Sequence, residues 1–175
     1  MSDTTLLILS DSHGRPDRIR EAIRRVNPDG ILFAGDGLRD LADCDLPCPL
    51  WAVRGNCDWL SFPLVVNDSL LEPRDEELFT FGGLRILLTH GHAYDVKSGT
   101  GQIITRGAQC KADIVVFGHT HSPMEYRLPA NSPLVEVPSD QPMTLFNPGS
   151  LGDRDASFGT LTIRNGVFLL GHGNL

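Results

Sequence analysis

A short apolar run, Ile114-Val115-Val116-Phe117, leads directly into Gly118-His119-Thr120-His121. The run predicts a buried strand because it is short, rich in β-branched residues and followed by glycine. Residues two apart in an extended segment point to the same side, so His119 and His121 can converge on one place. Two interpretations of the pair are open at this point: the histidines bind a metal ion, or they are exposed in a surface loop.

Four other apolar runs end in polar turns in the same way. They are residues 6–9 before Asp11 and His13, residues 30–34 before Asp36, residues 50–53 before Asn56, and residues 84–88 before His90. Residues 16–26 carry apolar side chains at helical spacing behind a proline, which predicts a helix between the first two runs. Alternating strands and helices joined by glycine-bearing turns are typical of a parallel sheet, in which ligands gather at the carboxyl ends of the strands.

The remaining segments give weaker patterns. We predict a helical or irregular crossover at residues 38–49, a loop or edge strands at 59–75, a hairpin around Gly82-Gly83, and a helix at 97–110. Short strands split by Pro, Asn and Gly are typical of an antiparallel second sheet, and we predict them at residues 124–128, 134–137, 143–146, 159–163 and 167–170. The sequence contains no internal repeat or linker, so we expect a single domain over residues 1–175.

The composition excludes several classes of protein. With 175 residues, 41% of them hydrophobic and 21% charged, the chain can bury a core as an ordinary soluble domain. No apolar run approaches the roughly 20 residues that a membrane span needs, and the first residues lack a signal-peptide pattern. We therefore expect a cytoplasmic protein. The net charge of -7 opposes general electrostatic attraction to nucleic acid.

The four cysteines predict neither a disulfide framework nor a zinc ribbon. Cys44, Cys48, Cys57 and Cys110 are too few for a chain of this length and do not form C-x-x-C pairs. We expect all four to be reduced thiols.

The polar side chains at the strand ends form a set of seven candidate donors: Asp11, His13, Asp36, Asn56, His90, His119 and His121. Each alone has a plainer interpretation as part of a tight turn. A parallel sheet, however, brings strand ends to one edge, where all of them would meet. Seven nitrogen and oxygen donors are too many for one tetrahedral ion and suit two ions with a shared carboxylate. Because the set contains no thiolate, it favours Mn²⁺, Fe²⁺, Mg²⁺ or Zn²⁺.

Five motifs of the chain resemble those of the calcineurin-like metallophosphoesterase superfamily. They are Asp11-Ser12-His13-Gly14, Gly35-Asp36, Gly55-Asn56-Cys57-Asp58, Thr89-His90-Gly91-His92 and Gly118-His119-Thr120-His121. They occur in the expected order over nearly the whole chain, and they are most similar to the small single-domain phosphodiesterases of bacteria and archaea. Asn147-Pro148-Gly149-Ser150 also resembles a family turn near the active site.

The resemblance implies a fold, a ligand set and an activity. The implied fold is a four-layer α/β/β/α sandwich, with two mixed sheets packed face to face and flanked by helices. Asp11, His13 and His121 would bind one divalent ion, Asn56, His90 and His119 would bind a second, and Asp36 would bridge them. We expect Mn²⁺, with Fe²⁺, Zn²⁺, Ni²⁺ or Mg²⁺ as alternatives.

Two such ions acidify a bridging water, so hydroxide is available near neutral pH to attack a phosphoryl group in line. The neutral amide of Asn56 can coordinate without adding negative charge that would repel the substrate. We expect hydrolysis of small phosphodiesters, with monoesters as further substrates.

Cys57 departs from the superfamily pattern, in which many members have a histidine after the asparagine to protonate the leaving group. Cys57 either acts as a weaker acid or is a packed thiol near the metals. His92 either contacts substrate in the same cleft or lies in an exposed loop. Arg54 either binds a phosphate or forms an ion pair at the strand end. His172 matches none of the motifs and is expected to be a terminal polar residue.

The rival interpretation is a protein-binding scaffold without catalysis, because the same fold occurs in eukaryotic membrane-trafficking scaffolds. Such a protein usually loses metal ligands, whereas all seven candidates persist here. Residues 59–71 carry enough apolar side chains to form a homodimer contact.

Overall fold

The computed structural model describes residues 3–59, 64–134 and 140–175 of the chain. The helices in this part are α1 (Pro16–Val26), α2 (Leu38–Ala42) and α3 (Gly101–Gln109), with a short 3-10 helix at His92–Tyr94. The strands are β1 (Thr4–Leu9), β2 (Gly30–Phe33), β3 (Leu50–Ala52), β4 (Leu64–Val66), β5 (Ser69–Leu71), β6 (Glu76–Phe81), β7 (Leu84–Thr89), β8 (Ile114–Val116), β9 (Met124–Leu128), β10 (Met143–Asn147), β11 (Ser157–Arg164) and β12 (Val167–Asn174).

Helix α1 shows why the local sequence folds as predicted. Pro16 opens the helix, where its missing N–H costs nothing. Asn27 ends it in the left-handed conformation, and its N–H donates to the carbonyl of Ile23 at 2.8 Å. Ile19 and Ala22 are buried on the face toward the sheet. The helix thus returns the chain from the end of β1 to the start of β2.

The first sheet has the strand order β12-β11-β1-β2-β3. Strands β1, β2 and β3 are parallel, whereas β11 and β12 are antiparallel to their neighbours. In the register of β1 and β2, Leu9 lies beside Phe33. The two strands therefore end level with each other, and the turns that follow them are neighbours.

The second sheet has the order β6-β7-β8-β10-β9, with a parallel centre of β7, β8 and β10 and antiparallel edges. Leu88 lies beside Val116, and Val116 lies beside Phe146. Strands β7, β8 and β10 therefore end level with one another, and the turns that follow them are neighbours. A separate two-stranded sheet, β4-β5, completes the described strands.

Three apolar clusters show how the layers stack. One lies between α1, α2 and the first sheet and includes Leu7, Ile19 and Phe33. A second fills the space between the two sheets and includes Ile8 and Val116. The third lies between the second sheet and α3 and includes Leu87, Ile103 and Val115. Successive residues of a strand face opposite sides, so each central strand contributes to two clusters. The predicted four-layer sandwich is confirmed.

The prediction of an antiparallel sheet for the C-terminal third needs a correction. Strands β11 and β12 add to the first sheet beside β1, while β9 and β10 join the second sheet, where β10 runs parallel to β8. Leu134 lies in a turn, and residues 135–137 of the predicted strand lie outside the described residues. Within the described ranges, no helix combines the length and apolar character needed to cross a membrane.

Candidate metal centre

All seven predicted donors lie at one rim of the molecule, where the two sheets meet. Asp11, Asp36 and Asn56 follow β1, β2 and β3 of the first sheet, and His90 follows β7 of the second. The remaining donors come from the turns after β1 and β8 and are His13, His119 and His121. The parallel centres of both sheets thus deliver their polar turns to the same place.

The first group of donors consists of Asp11, His13 and His121. The Nε2 atom of His121 lies 3.2 Å from Asp11 Oδ1 and 3.2 Å from the Nε2 atom of His13. His13 Nε2 is 3.7 Å from the same Asp11 oxygen. One ligand atom from each residue lies within 4.8 Å of the other two, a spacing that suits a single ion.

The second group consists of Asp36, His90 and His119, with Asn56 beside them. His90 Nε2 lies 3.3 Å from Asp36 Oδ2 and 3.1 Å from Asn56 Oδ1. Asp36, His90 and His119 again offer atoms within 4.8 Å of one another, and Asp36 also lies within that distance of His13 from the first group. Asp36 is therefore placed between the two groups.

The backbone at the rim adopts a conformation that is unusual for residues with side chains. Five of the seven donors have positive φ angles, and they are Asp11 (53°), His13 (44°), Asp36 (58°), His119 (67°) and His121 (59°). Each such residue costs about 1–3 kcal/mol unless its surroundings stabilise it, and such residues concentrate at functional sites.

Burial and charge act in opposite directions on the two carboxyl groups. Burial raises the pKa of Asp11, and the nearby His90 and a hydrogen bond from Ser10 only partly offset that effect. At Asp36, burial also works against ionisation, but hydrogen bonds from His90 and from the Cys57 N–H outweigh it and lower the pKa. Asp36 is thus held as a carboxylate. At Asp11 the surrounding positive charge and hydrogen bonds are too weak to offset the effect of burial on the pKa.

The histidines also differ. Burial works to lower the pKa of His90, but the Asp36 and Asp11 carboxylates outweigh it and raise that pKa. Burial, together with the charge of His90, lowers the pKa of His119 to about 4. The His119 ring is therefore neutral near pH 7, the state in which an imidazole can bind a metal.

The structure allows a direct test of whether these residues fit metal ions. Asp11 Oδ1 is fully buried and has no hydrogen-bond partner among the described residues. A buried carboxylate oxygen without a partner is costly, and a dication removes that cost. The same oxygen faces His13 and His121, and the surrounding donors are imidazole nitrogens, carboxylates and an amide oxygen. The arrangement fits divalent cations.

Comparison with known proteins agrees with this geometry. Residues 5–166 match the model of the calcineurin-like phosphoesterase superfamily domain. The chain belongs to this superfamily.

Several known proteins resemble the chain over most of its length. It is 29% identical over 166 residues to the probable metallophosphoesterase YsnB of Bacillus subtilis, covering 91% of this chain and 85% of YsnB. A predicted phosphoesterase from Streptococcus pneumoniae has a similar crystal structure, with a TM-score of 0.72, 21% identity and coverage of 99% and 91%. Vacuolar Protein Sorting 29 from Cryptosporidium parvum has a TM-score of 0.69, 17% identity and coverage of 99% and 98%. The family implies divalent metal ions as cofactors.

Two residues predicted to act beside the metals lie near the donors of this calcineurin-like domain. Cys57 is exposed; its backbone N–H donates to Asp36 Oδ1 at 2.7 Å, and its sulfur accepts from Asn56 Nδ2 at 3.2 Å. The half-buried ring of His92 lies 5.4 Å from the ring of His90, and its Nδ1 atom is buried without a partner among the described residues. Their catalytic roles stay predictions.

Two other side chains have roles in the fold. Arg54 donates to the carbonyl of Pro73 at 3.1 Å and lies 4.0 Å from Asp75, as expected of the ion-pair interpretation. His172 is not merely a terminal polar residue. Its Nε2 atom lies 2.8 Å from the carbonyl oxygen of Asn147, and its ring stacks on Phe146 at 4.5 Å.

Asp58 is a residue whose importance sequence reasoning missed. Its carboxylate accepts hydrogen bonds of 2.8–2.9 Å from the backbone N–H groups of Asp36, Gly37, Leu38 and Gly55. It therefore joins the turn that carries Asp36 to the turn that carries Asn56. Asp58 stands in the quoted Gly55-Asn56-Cys57-Asp58 motif, but its residue type alone does not indicate which amides it meets.

The turn after β10 supports the histidines of the opening stretch. The Nδ2 group of Asn147 donates to the carbonyl of Gly118 at 2.8 Å and to Thr120 Oγ1 at 3.1 Å, while its Oδ1 accepts from Gly149 N at 2.9 Å. Asn147 is fully buried. It thus fixes the path of residues 118–121 from the neighbouring strand, and the turn lies beside the candidate donors.

Proposed function

We propose that the protein is a dinuclear metal-dependent phosphoesterase that hydrolyses phosphodiesters and, in addition, some monoesters. The observation that carries this proposal is the convergence of two donor groups on Asp36, beside a buried Asp11 oxygen that has no hydrogen-bond partner among the described residues. Membership of the calcineurin-like superfamily supports it. The preference for diesters extends the resemblance to the small phosphodiesterases.

In this proposal, Asp11, His13 and His121 hold one ion, and Asn56, His90 and His119 hold the other, with Asp36 shared. When bound by these residues, the ions would supply hydroxide near neutral pH and would offset the charge that develops on the phosphoryl oxygens.

The protein's own groups prepare this chemistry. His90 donates from Nδ1 to the carbonyl of Ala34 at 2.7 Å, so Nε2, which faces Asp36 and Asn56, is the nitrogen that would bind an ion once it has lost its proton. The amide oxygen of Asn56 adds a donor without adding charge. The ring of His92 lies 5.4 Å from the ring of His90 and 6.2 Å from the ring of His119, and we propose that it contacts the substrate beside them.

The proposed partner is a small phosphoester substrate. The exposed side chains of Trp59, Val65 and Leu70 are the apolar groups on which the predicted homodimer would rest. The cytoplasmic location and the single-domain organisation likewise stay proposals.

Restoring metal to stripped protein tests the function. Addition of Mn²⁺ should restore hydrolysis of an aryl phosphodiester, with a higher kcat/KM than for the matching aryl monoester. Asp36→Ala and His119→Ala should each lower kcat more than about 100-fold, because losing even an outer partner of a metal ligand costs 10–100-fold.

The exposed Asp45→Ala serves as the control and should keep wild-type activity. Equal hydrolysis by Asp36→Ala, His119→Ala and Asp45→Ala would refute the assignment of the site. Wild-type protein that binds no metal would favour the scaffold interpretation instead.

A further inference from the structure

The ring of His121 has a different partner on each of its two nitrogens. Nε2 faces Asp11 Oδ1 and His13 Nε2, each at 3.2 Å. Nδ1 lies 3.1 Å from both carboxylate oxygens of Asp153. Because the two nitrogens of an imidazole point in different directions, one is turned toward the first donor group while the other is held by a carboxylate.

The segment that carries Asp153 is attached to the backbone of the donor turn itself. Ser150 Oγ and Gly152 N both donate to the carbonyl of Asp11, at 3.0 Å and 2.8 Å. The guanidinium of Arg18 donates to the carbonyl of Asp153. These bonds tie residues 150–153 to the turn after β1 and to α1, so the position of the Asp153 carboxylate relative to His121 is fixed from several sides.

The contact between Asp153 and His121 links residues 32 positions apart in the chain and lies outside the apolar core. The side chain of Asp153 is 48% exposed and that of His121 is 32% exposed. An exposed ion pair contributes little to stability, about 0–1 kcal/mol. A carboxylate against Nδ1 favours the tautomer that carries the proton on that nitrogen, and it restrains the orientation of the ring.

We propose that Asp153 is a positioning residue for the first metal site. By accepting a hydrogen bond from the Nδ1–H group, it keeps the lone pair of Nε2 free and directed toward the ion that His121 would share with Asp11 and His13. The inference rests on the proposed function, since it assigns Asp153 a role in one of the two proposed sites. It predicts that the sites respond unequally when Asp153 is changed.

Metal titration of two matched variants tests the proposal. Mn²⁺ is titrated into metal-free wild-type protein, Asp153→Ala, Asp153→Asn and the control Asp155→Ala, whose side chain is exposed two residues away. Wild-type protein and the control should show two binding steps. In Asp153→Ala one step should weaken about 10–100-fold and the other should stay unchanged. Asp153→Asn, which can still accept a hydrogen bond from Nδ1–H but carries no charge, should fall in between.

A second measurement uses metal-free protein and needs no activity. Nitrogen-15 spectra of the imidazoles should show His121 protonated on Nδ1 in the wild type and in Asp155→Ala. In Asp153→Ala the same ring should become a mixture of tautomers. The Tm of this variant should stay close to that of Asp155→Ala.

The outcomes separate this inference from the proposed function. Two unchanged binding steps together with an unchanged tautomer in Asp153→Ala would overturn the role of Asp153 and leave the proposed function intact. Loss of both steps in Asp153→Ala would also overturn it, because the effect would not be confined to one site. Wild-type protein that binds no Mn²⁺ would overturn the proposed function and this inference together.

Discussion

Cys57 lies next to the proposed bridging carboxylate and is poorly suited to donate a proton. Its N–H group donates to Asp36 at 2.7 Å, which holds the thiol close to that negative charge. In the metal-free protein, desolvation by the surrounding groups, together with the Asp36 carboxylate, raises the pKa of Cys57 to about 11. Proton donation is most effective when the pKa of the donor lies near the working pH. Hydrolysis should therefore depend strongly on how good the leaving group is.

Replacing this thiol by an imidazole should reduce that dependence. We expect Cys57→His to raise kcat for phosphodiesters with poor leaving groups by about 10-fold or more, because general acid catalysis contributes about 10²–10⁴-fold where it is available. For good leaving groups the change should be small. The measurement is kcat across a series of diesters with increasing leaving-group pKa. Cys57→Ser, which introduces no group titrating near neutral pH, should keep the steep wild-type dependence, and a Cys57→His slope as steep as that of Cys57→Ser would contradict the argument.

Single residues differ in how far the sequence predicts them. Asp36 and His90 could be proposed as donors because each follows an apolar run, and the carboxyl ends of parallel strands share an edge. Asp153 gives no such signal. Its contact with His121 depends on how residues 150–153 fold back onto the carbonyl of Asp11, and no periodicity in the sequence encodes that return. Positions relative to strands are predictable, whereas contacts between distant loops are not.

Among the structural elements, the turns after β2 and β3 depend on each other through Asp58. One carboxylate serves four N–H groups, two of them at the start of α2. An amide in its place can accept with only one of its two polar ends, so some of these buried donors would lose their partner. Each buried donor without a partner costs about 1–3 kcal/mol.

We therefore expect Asp58→Asn to lower the free energy of unfolding by about 2 kcal/mol and to weaken metal binding, since Asp36 and Asn56 would no longer be held together. Chemical denaturation and metal titration measure the two effects. Asp45→Asn makes the same chemical change on an exposed loop and should alter neither quantity by a measurable amount. A stable Asp58→Asn protein with wild-type metal affinity would show that the two turns hold their positions without the carboxylate.

The strands themselves were largely predictable, but their partners were not. The runs before Asp11, Asp36 and His90 each form the expected strand. The short C-terminal strands are marked by apolar residues between Pro, Asn and Gly, and these features do not show which sheet each strand joins. Strand β10 enters the second sheet beside β8, and β11 pairs with β1, although only nine residues separate β10 from β11. That choice depends on long-range packing, which local sequence does not describe.

Across the whole molecule, the proposed metal centre joins the two sheets. The first sheet supplies Asp11 and Asp36, and the second supplies His90, His119 and His121. Both sheets therefore hold donors in place at the same rim. Buried carboxylates and positive φ angles at the rim oppose folding when no cation is present. Metal binding should consequently stabilise the entire fold rather than a single loop.

Thermal unfolding with and without metal measures this coupling. A ligand that binds only the folded state adds about 2.7 kcal/mol at 100 times its dissociation constant. For a chain of this size each kcal/mol raises Tm by roughly 2–4 °C, so saturating one site should raise Tm by about 5–10 °C. A chelator should reverse the increase. Asp36→Ala should lose most of it because the shared carboxylate is gone, whereas Asp45→Ala should keep it. If Mn²⁺ left the Tm of the wild-type protein unchanged, the ions would not be bound where both sheets contribute ligands, since such binding must favour the folded state.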